Sequence, residues 1–175
     1  MTHQAAELEP AAAPSAGARL VRVIAGLWLV LAASPVLGQT TRELVGTYRF
    51  LKEIRNSDGE QSNIGATGIL VLDADGRYAL TIIGSNIPLV ASDNRRSATA
   101  DEARAIVAAT IAHFGTYSVN DGNLIFKVER ATFPNWNGVE QKRPFKLIGD
   151  ELQYSVGTSS GSGSSITLTW GRVRN

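Results

Sequence analysis

Residues 66–84 read ATGILVLDADGRYALTIIG and carry the clearest indication of how this chain folds. Two runs rich in apolar and β-branched residues, 66–73 and 77–84, flank the turn residues Asp73-Ala74-Asp75-Gly76. An Asp-Gly pair accepts the backbone angles of a tight hairpin, so it favours both a turn and a fixed register between the two runs. The stretch therefore predicts a β-hairpin.

Short β-rich runs separated by turn residues continue along most of the chain, which is typical of a meandering antiparallel sheet. We predict eight strands, at 44–55, 66–73, 77–84, 115–120, 124–132, 141–148, 152–158 and 166–173. Eight consecutive antiparallel strands can close on themselves and leave no exposed edge. We therefore expect an all-β protein, an eight-stranded antiparallel up-and-down β-barrel, whose interior admits at most a small ligand.

One segment interrupts the β pattern. Thr99-Ala100-Asp101-Glu102 has the form of a capping box and opens an Ala-rich stretch that reaches about Ala112. This pattern predicts one short α-helix that packs on the barrel or covers one of its ends. Its barrel-facing side is expected from apolar residues at helical spacing, namely Ala103, Ile106, Val107, Thr110 and Ile111.

Composition excludes several classes of function. The 175 residues include no Cys and only two His, and the net charge is +1. A near-neutral chain without a basic block argues against nucleic acid as a partner. His3 lies near the N-terminus, ahead of the predicted strands. The remaining chain has His113 alone and no Cys, so it cannot build a three-His or a Cys-based zinc site. We expect no metal and no cofactor.

The N-terminal segment differs from the rest. Arg19 and Arg22 precede the apolar run VIAGLWLVLAA, residues 23–33, and small residues follow up to Gly38. A positive flank, an apolar run of about 11 residues and small residues before a cut site indicate a secretory signal. We expect residues 1–38 to be a signal peptide with an extended leader and 39–175 to be the exported domain, periplasmic or secreted. An uncleaved anchor is the alternative.

Four segments resemble the lipocalin-like domain family of bacteria and fungi. They are Gly46-Thr47-Tyr48, His113-Phe114-Gly115-Thr116-Tyr117, Phe133-Pro134-Asn135-Trp136-Asn137-Gly138 with Gln141-x-Arg143, and Leu168-Thr169-Trp170-Gly171-Arg172. The resemblance spans residues 44–173 and implies a lipocalin-type barrel that binds a small molecule, without implying a reaction.

Two positions depart from the family pattern. Lys127 stands near a position where the family often has His, which weakens an acid/base role there. Tyr48 replaces the Trp of the lipocalin entry motif. In lipocalins this aromatic residue stacks under an Arg of the last strand, and we expect Tyr48 and Arg172 to make the same cation–π contact.

The alternation of side chains along two neighbouring strands predicts the binding site. If the loop around Trp136 joins strands 124–132 and 141–148 as a hairpin, Arg130 faces Arg143. Two guanidinium groups on an apolar side repel each other unless an anion or a polarised carbonyl lies between them. We therefore predict that an amphipathic ligand binds with its polar end at the arginines, in a cavity formed by Phe126, Arg130, Trp136, Gln141, Arg143 and Phe145.

Two alternatives weaken that site. Glu129, Glu140 or another carboxylate could pair with the arginines, and a single β-bulge would turn one of them outward. His113 is the sole candidate for acid/base catalysis, and its expected place at the helix end equally suits a cap favoured by the helix dipole.

The sequence thus favours an exported protein that binds a small apolar or amphipathic molecule inside the barrel. An isomerase or cyclase working in the same cavity is one alternative. A barrel that inhibits another protein through loops such as 85–98 is the other.

Overall fold

The computed structural model describes residues 40–62 and 65–174, so the expected signal peptide, 1–38, lies outside the described residues. The strands are β1 (Gly46–Arg55), β2 (Gln61–Ser62), β3 (Thr67–Leu72), β4 (Arg77–Ile83), β5 (Thr110–Asn120), β6 (Asn123–Ala131), β7 (Glu140–Ile148), β8 (Glu151–Val156) and β9 (Ile166–Arg172). The α-helices are α1 (Thr41–Leu44) and α2 (Ala100–Ala109), and short 3-10 helices span Arg95–Ser97 and Pro134–Trp136.

The strands form a closed antiparallel barrel. β1 and β3 to β9 are neighbours in chain order, and pairing of β1 with β9 closes the ring. β2 contributes only two residue pairs at one end of β1. The expectation of an eight-stranded up-and-down barrel is confirmed, because each hairpin follows the turn residues that the sequence supplies. In the turn between β3 and β4, Gly76 has a φ of 77°, a backbone conformation that residues with a side chain rarely adopt.

Helix α1 and the last strand close one end of the barrel. Leu44 and Tyr48 are fully buried there, and the Tyr48 hydroxyl donates a hydrogen bond to the Leu44 carbonyl at 2.8 Å. The Arg172 guanidinium lies 4.8 Å from the centre of the Tyr48 ring and also donates to the carbonyls of Val45 and Glu43. The expected cation–π contact between Tyr48 and Arg172 is confirmed.

Helix α2 begins at the expected capping box, in which Thr99 and Glu102 exchange hydrogen bonds. It ends at Ala109 instead of Ala112, and none of its residues is buried. The expected barrel-facing side is therefore wrong in part, since Val107 is 71% exposed. The helix lies at the open end of the barrel, where it borders a cavity and not a packed core.

The residues after α2 belong to strand β5, which begins five residues earlier than we expected. His113 is therefore not at a helix end. It pairs with Leu80 of β4 and Ala131 of β6, and it is only 7% exposed. The helix-cap interpretation of His113 is wrong, because the Ala-rich stretch changes from helix to strand before this residue.

The wall of the barrel is incomplete between β7 and β8. Their pairing runs from Phe145–Tyr154 to Ile148–Glu151, four residue pairs. The first half of β7 pairs only with β6. Pro144 stands where the β7–β8 ladder stops, and proline has no amide hydrogen with which to extend it.

Candidate functional site

A cavity of about 670 Å³ opens at the end of the barrel opposite helix α1. This volume lies within the range of pockets that hold small organic ligands. Its mouth is bordered by helix α2, by the loop that contains Trp136 and by the Gly/Ser-rich loop after β8. Deeper lining residues are mainly aliphatic and aromatic, among them Leu80, Ile82, Ile111, His113, Phe126, Gln141, Arg143, Tyr154, Val156, Ile166 and Leu168.

The structure brings together four of the six residues predicted to bind a ligand. Phe126, Trp136, Gln141 and Arg143 all line the cavity. Phe145 does not, because it lies two residues deeper along β7, where it packs in the core and borders a separate pocket of about 250 Å³.

Arg130 is also outside the cavity, and the predicted pairing of Arg130 with Arg143 is wrong. Arg143 pairs with Leu124 instead. In the β5–β6 ladder Gly115 pairs with Val128 and Phe114 with Arg130, which leaves Glu129 as an extra residue in β6. This bulge reverses the direction of the following side chains, so Arg130 points outward beside the exposed Phe114.

Two arginines that the structure describes line the cavity: Arg55, which pairs with Asp58 and Glu60, and Arg143. Nη2 of Arg143 donates to Oε1 of Gln141 at 2.8 Å. Within residues 40–62 and 65–174 Arg143 has no carboxylate partner: Glu129 pairs with Arg77 at 2.5 Å, and Glu140 lies 3.9 Å from Lys127. Burial lowers the pKa of Arg143, which means that its charge is poorly solvated.

His113 faces the cavity beside a tyrosine. Its Nδ1 lies 2.8 Å from the Tyr78 hydroxyl, and both side chains are buried. Burial, followed by the charge of Arg143, lowers the pKa of His113 to about 4. Burial likewise raises the pKa of Tyr78. At neutral pH the pair is therefore uncharged, and His113 is a neutral hydrogen-bonding group.

The ring of Phe126 lies at the centre of an aromatic wall. Its centroid is 4.5 Å from that of Tyr78, 5.9 Å from that of Tyr154 and 6.1 Å from that of His113. The ring of Trp136 extends this wall toward the mouth, 5.6 Å from His113. Such a wall favours planar, apolar ligand groups, which can stack or meet the rings edge to face.

Sequence reasoning missed Tyr78 and Tyr154. Both alternate with outward-facing neighbours in strands β4 and β8, and both are less than 5% exposed. The alternation of inward and outward side chains along these strands is the signal in the sequence that marks both tyrosines, as it marks Arg143. Burial strongly raises the pKa of Tyr154, so its hydroxyl is a neutral polar group in the cavity wall.

Fold and site together define a lipocalin-type barrel, closed at one end and hollow at the other. The chain belongs to the lipocalin-like domain family, whose model matches residues 45–173. Among solved structures it is similar to the lipoprotein YedD of Klebsiella pneumoniae, with 11% sequence identity, a TM-score of 0.38 and coverage of 75% of this chain and 73% of that chain. No curated protein matches it. The assignment rests on the domain match.

Two further kinds of feature are absent from the described residues. None of the helices there has the length and apolar character that crossing a bilayer requires. Likewise, no group of three or more His, Asp or Glu side chains in residues 40–62 and 65–174 is arranged to hold a metal ion.

Proposed function

We propose that this protein is an exported binding protein that holds a small amphipathic acid inside its barrel, with the acid group at Arg143. The observation that carries the proposal is the guanidinium of Arg143, which lies in a cavity with a mainly apolar lining and has no carboxylate partner among the residues that the structure describes. A poorly solvated cation is costly unless an anion compensates it. A ligand carboxylate would supply that anion.

The neighbours of Arg143 favour a ligand with an acid group over an uncharged hydrophobic ligand. Oε1 of Gln141 accepts one guanidinium N–H, which holds the group in place and leaves its other donors for a ligand. Planar guanidinium and carboxylate groups can form two parallel hydrogen bonds. The aliphatic and aromatic lining would bury the remainder of the molecule.

Export is the part of the proposal that concerns residues 1–38. It rests on the positive flank and the short apolar run before Gly38. A binding protein in the periplasm or outside the cell would bind a ligand that has not crossed the inner membrane.

The two alternative functions differ in what they require. An inhibitor of another protein needs loops but no hollow interior, so the cavity of about 670 Å³ favours a small ligand. An isomerase or cyclase requires a group that transfers protons. His113 is the candidate for that role, but its pKa is lowered to about 4, which makes it a weak base at neutral pH and counts against this alternative.

Calorimetry with 2-naphthoate tests the proposal. We expect the exported protein to bind this acid more tightly than the uncharged 2-naphthamide. Arg143→Gln should weaken naphthoate binding by about tenfold to hundredfold, the range for a hydrogen bond to a charged group. Arg130→Gln is the matched control, because it removes the same charge from the outer surface. Equal effects of the two substitutions, or no binding of either compound, would contradict the proposal.

A further inference from the structure

We propose that the cavity contains a second polar recognition point, the Nε2 atom of His113, and that the natural ligand is an amphipathic acid with a hydroxyl group on its apolar body. This inference rests on the proposed function and specifies its ligand class. The acid would lie at Arg143 and the hydroxyl at His113.

The two ring nitrogens of His113 have different surroundings. Nδ1 is occupied by the Tyr78 hydroxyl at 2.8 Å, whereas Nε2 has no hydrogen-bond partner among residues 40–62 and 65–174. In that part of the chain the only side-chain polar atom that is both fully enclosed and unpartnered is Nε1 of Trp170. Nε2 of His113 is therefore not sealed in the wall, and the cavity that His113 lines is the space it can reach.

The imidazole ring is held in a fixed orientation. It meets three aromatic rings edge to face. Its centroid lies 5.4 Å from that of Tyr78, 5.6 Å from that of Trp136 and 6.1 Å from that of Phe126. A ring fixed on several sides loses little freedom when it forms a further hydrogen bond. Such preorganisation is typical of a recognition group.

The chemistry of Nε2 selects a hydroxyl. The neutral imidazole has one N–H and one lone pair, and the Tyr78 contact decides which of the two Nε2 carries. A hydroxyl serves both cases, because it donates and accepts. A second carboxylate on the ligand would find no cation at His113, whose pKa is lowered to about 4 by burial and by Arg143.

Phe126 places the two recognition points on one ligand. Its ring packs against His113 and Tyr78, and its backbone pairs with that of Gln141, the residue that holds Arg143. A planar body lying against the Phe126 ring would therefore have both His113 and Arg143 among its neighbours in the cavity. This arrangement favours a rigid aromatic or polycyclic acid that carries a hydroxyl group.

The test compares 2-naphthoate with its 5-, 6- and 7-hydroxy derivatives in calorimetry at pH 7.5. We expect at least one hydroxylated isomer to bind the wild-type protein about threefold to tenfold more tightly than the parent acid, the range of one neutral hydrogen bond. His113→Leu should abolish this gain, so that the hydroxylated isomer binds this variant no more tightly than 2-naphthoate does. His113→Gln, whose amide reaches about as far as Nε2, should restore part of it.

Binding of the parent acid, 2-naphthoate, distinguishes failure of this inference from failure of the proposed function. It also shows whether a variant is folded. Binding of 2-naphthoate by the His113→Leu variant shows that its cavity is intact. If the parent acid binds but no isomer shows a gain that depends on His113, the inference is overturned and the proposed function stands. If the wild-type protein does not bind 2-naphthoate, both are overturned.

Discussion

Arg172 lies over the ring of Tyr48, with 4.8 Å between the guanidinium carbon and the ring centre. The same guanidinium donates to the carbonyl of Glu43 at 2.6 Å and to that of Val45. Three contacts from one side chain thus join the last strand to the segment that enters the barrel. Through them the closed end of the barrel is fixed, which leaves the opposite end for the ligand.

Replacing Arg172 should therefore weaken the fold. We expect Arg172→Lys to lower the free energy of unfolding by about 1–2 kcal/mol, because an ammonium cannot serve both carbonyls and the ring. Urea denaturation measures the change. Arg174→Lys is the control, since Arg174 is exposed and Asp150 is its one ion-pair partner within residues 40–62 and 65–174, and it should alter stability by less than about 0.5 kcal/mol. Equal changes would show that the three contacts do not contribute.

Gly115 should tolerate no side chain. A Cβ there would lie 2.0 Å from the backbone oxygen of Lys127, because the bulge at Glu129 brings the two strands close together. We expect Gly115→Ala to lower the free energy of unfolding by more than about 3 kcal/mol or to prevent folding. Gly122→Ala should cost only about 1 kcal/mol, since that site has a positive φ but open space around it. A similar thermal stability of the two variants would contradict the bulge.

The bulge also explains which parts of the site the sequence predicted. Asp-Gly turns and alternating apolar residues are local signals, and from them the strands, the barrel and the inward direction of Phe126, Gln141 and Arg143 followed. The placement of Arg130 did not follow, because one additional residue reverses the alternation and nothing in the local sequence marks Glu129 as that residue.

The length of the loop between β6 and β7 is the second reason why the sequence did not predict the position of Arg130. The sequence alone predicts a simple hairpin loop around Trp136. In the structure a 3-10 helix, Pro134–Trp136, lies in this loop, and the β6–β7 ladder begins only at Lys127–Glu140. A register inferred from the loop centre therefore failed, and with it the pairing of Arg130 and Arg143.

Acid should destabilise the protein through His113. The unfolded residue takes up a proton near pH 6.5 and the folded one only near pH 4, so the unfolded state binds more protons between these values. Stability contributed by His113 is complete above pH 6.5 and is lost as the pH falls to about 4, by about 3 kcal/mol in total. Urea denaturation between pH 7.5 and 4 should show a smaller loss for His113→Leu. Parallel curves for both proteins would exclude this effect.

Ligand binding should change the fluorescence of Trp136. Its ring lies at the cavity mouth, whereas Trp170 is fully buried and does not line the cavity. We expect titration with 2-naphthoate to quench part of the emission, and Trp136→Phe to remove most of the ligand-dependent change. Quenching that persists in this variant would place the bound ligand elsewhere.

Processing of the N-terminus is measurable by intact mass. When the whole chain is expressed in a bacterial host, we expect the exported form to begin at Gln39, after cleavage behind Gly38. Replacing Gly38 with a bulky residue such as Trp should block cleavage and leave the longer form associated with the membrane. Recovery of only the uncleaved chain from wild-type cells would support an anchor instead.

The end of the β7–β8 pairing at Pro144 makes the wall of the barrel unevenly stiff. Most strands are held on both flanks, but the portion of β7 that includes Gln141 and Arg143 is fastened along one flank only. We expect amide hydrogens of this portion that point toward β8 to exchange with deuterium much sooner than those that point toward β6. We therefore expect the strand that presents Arg143 to be the part of the wall that yields most easily to a wide ligand, while the strands paired on both sides keep their register.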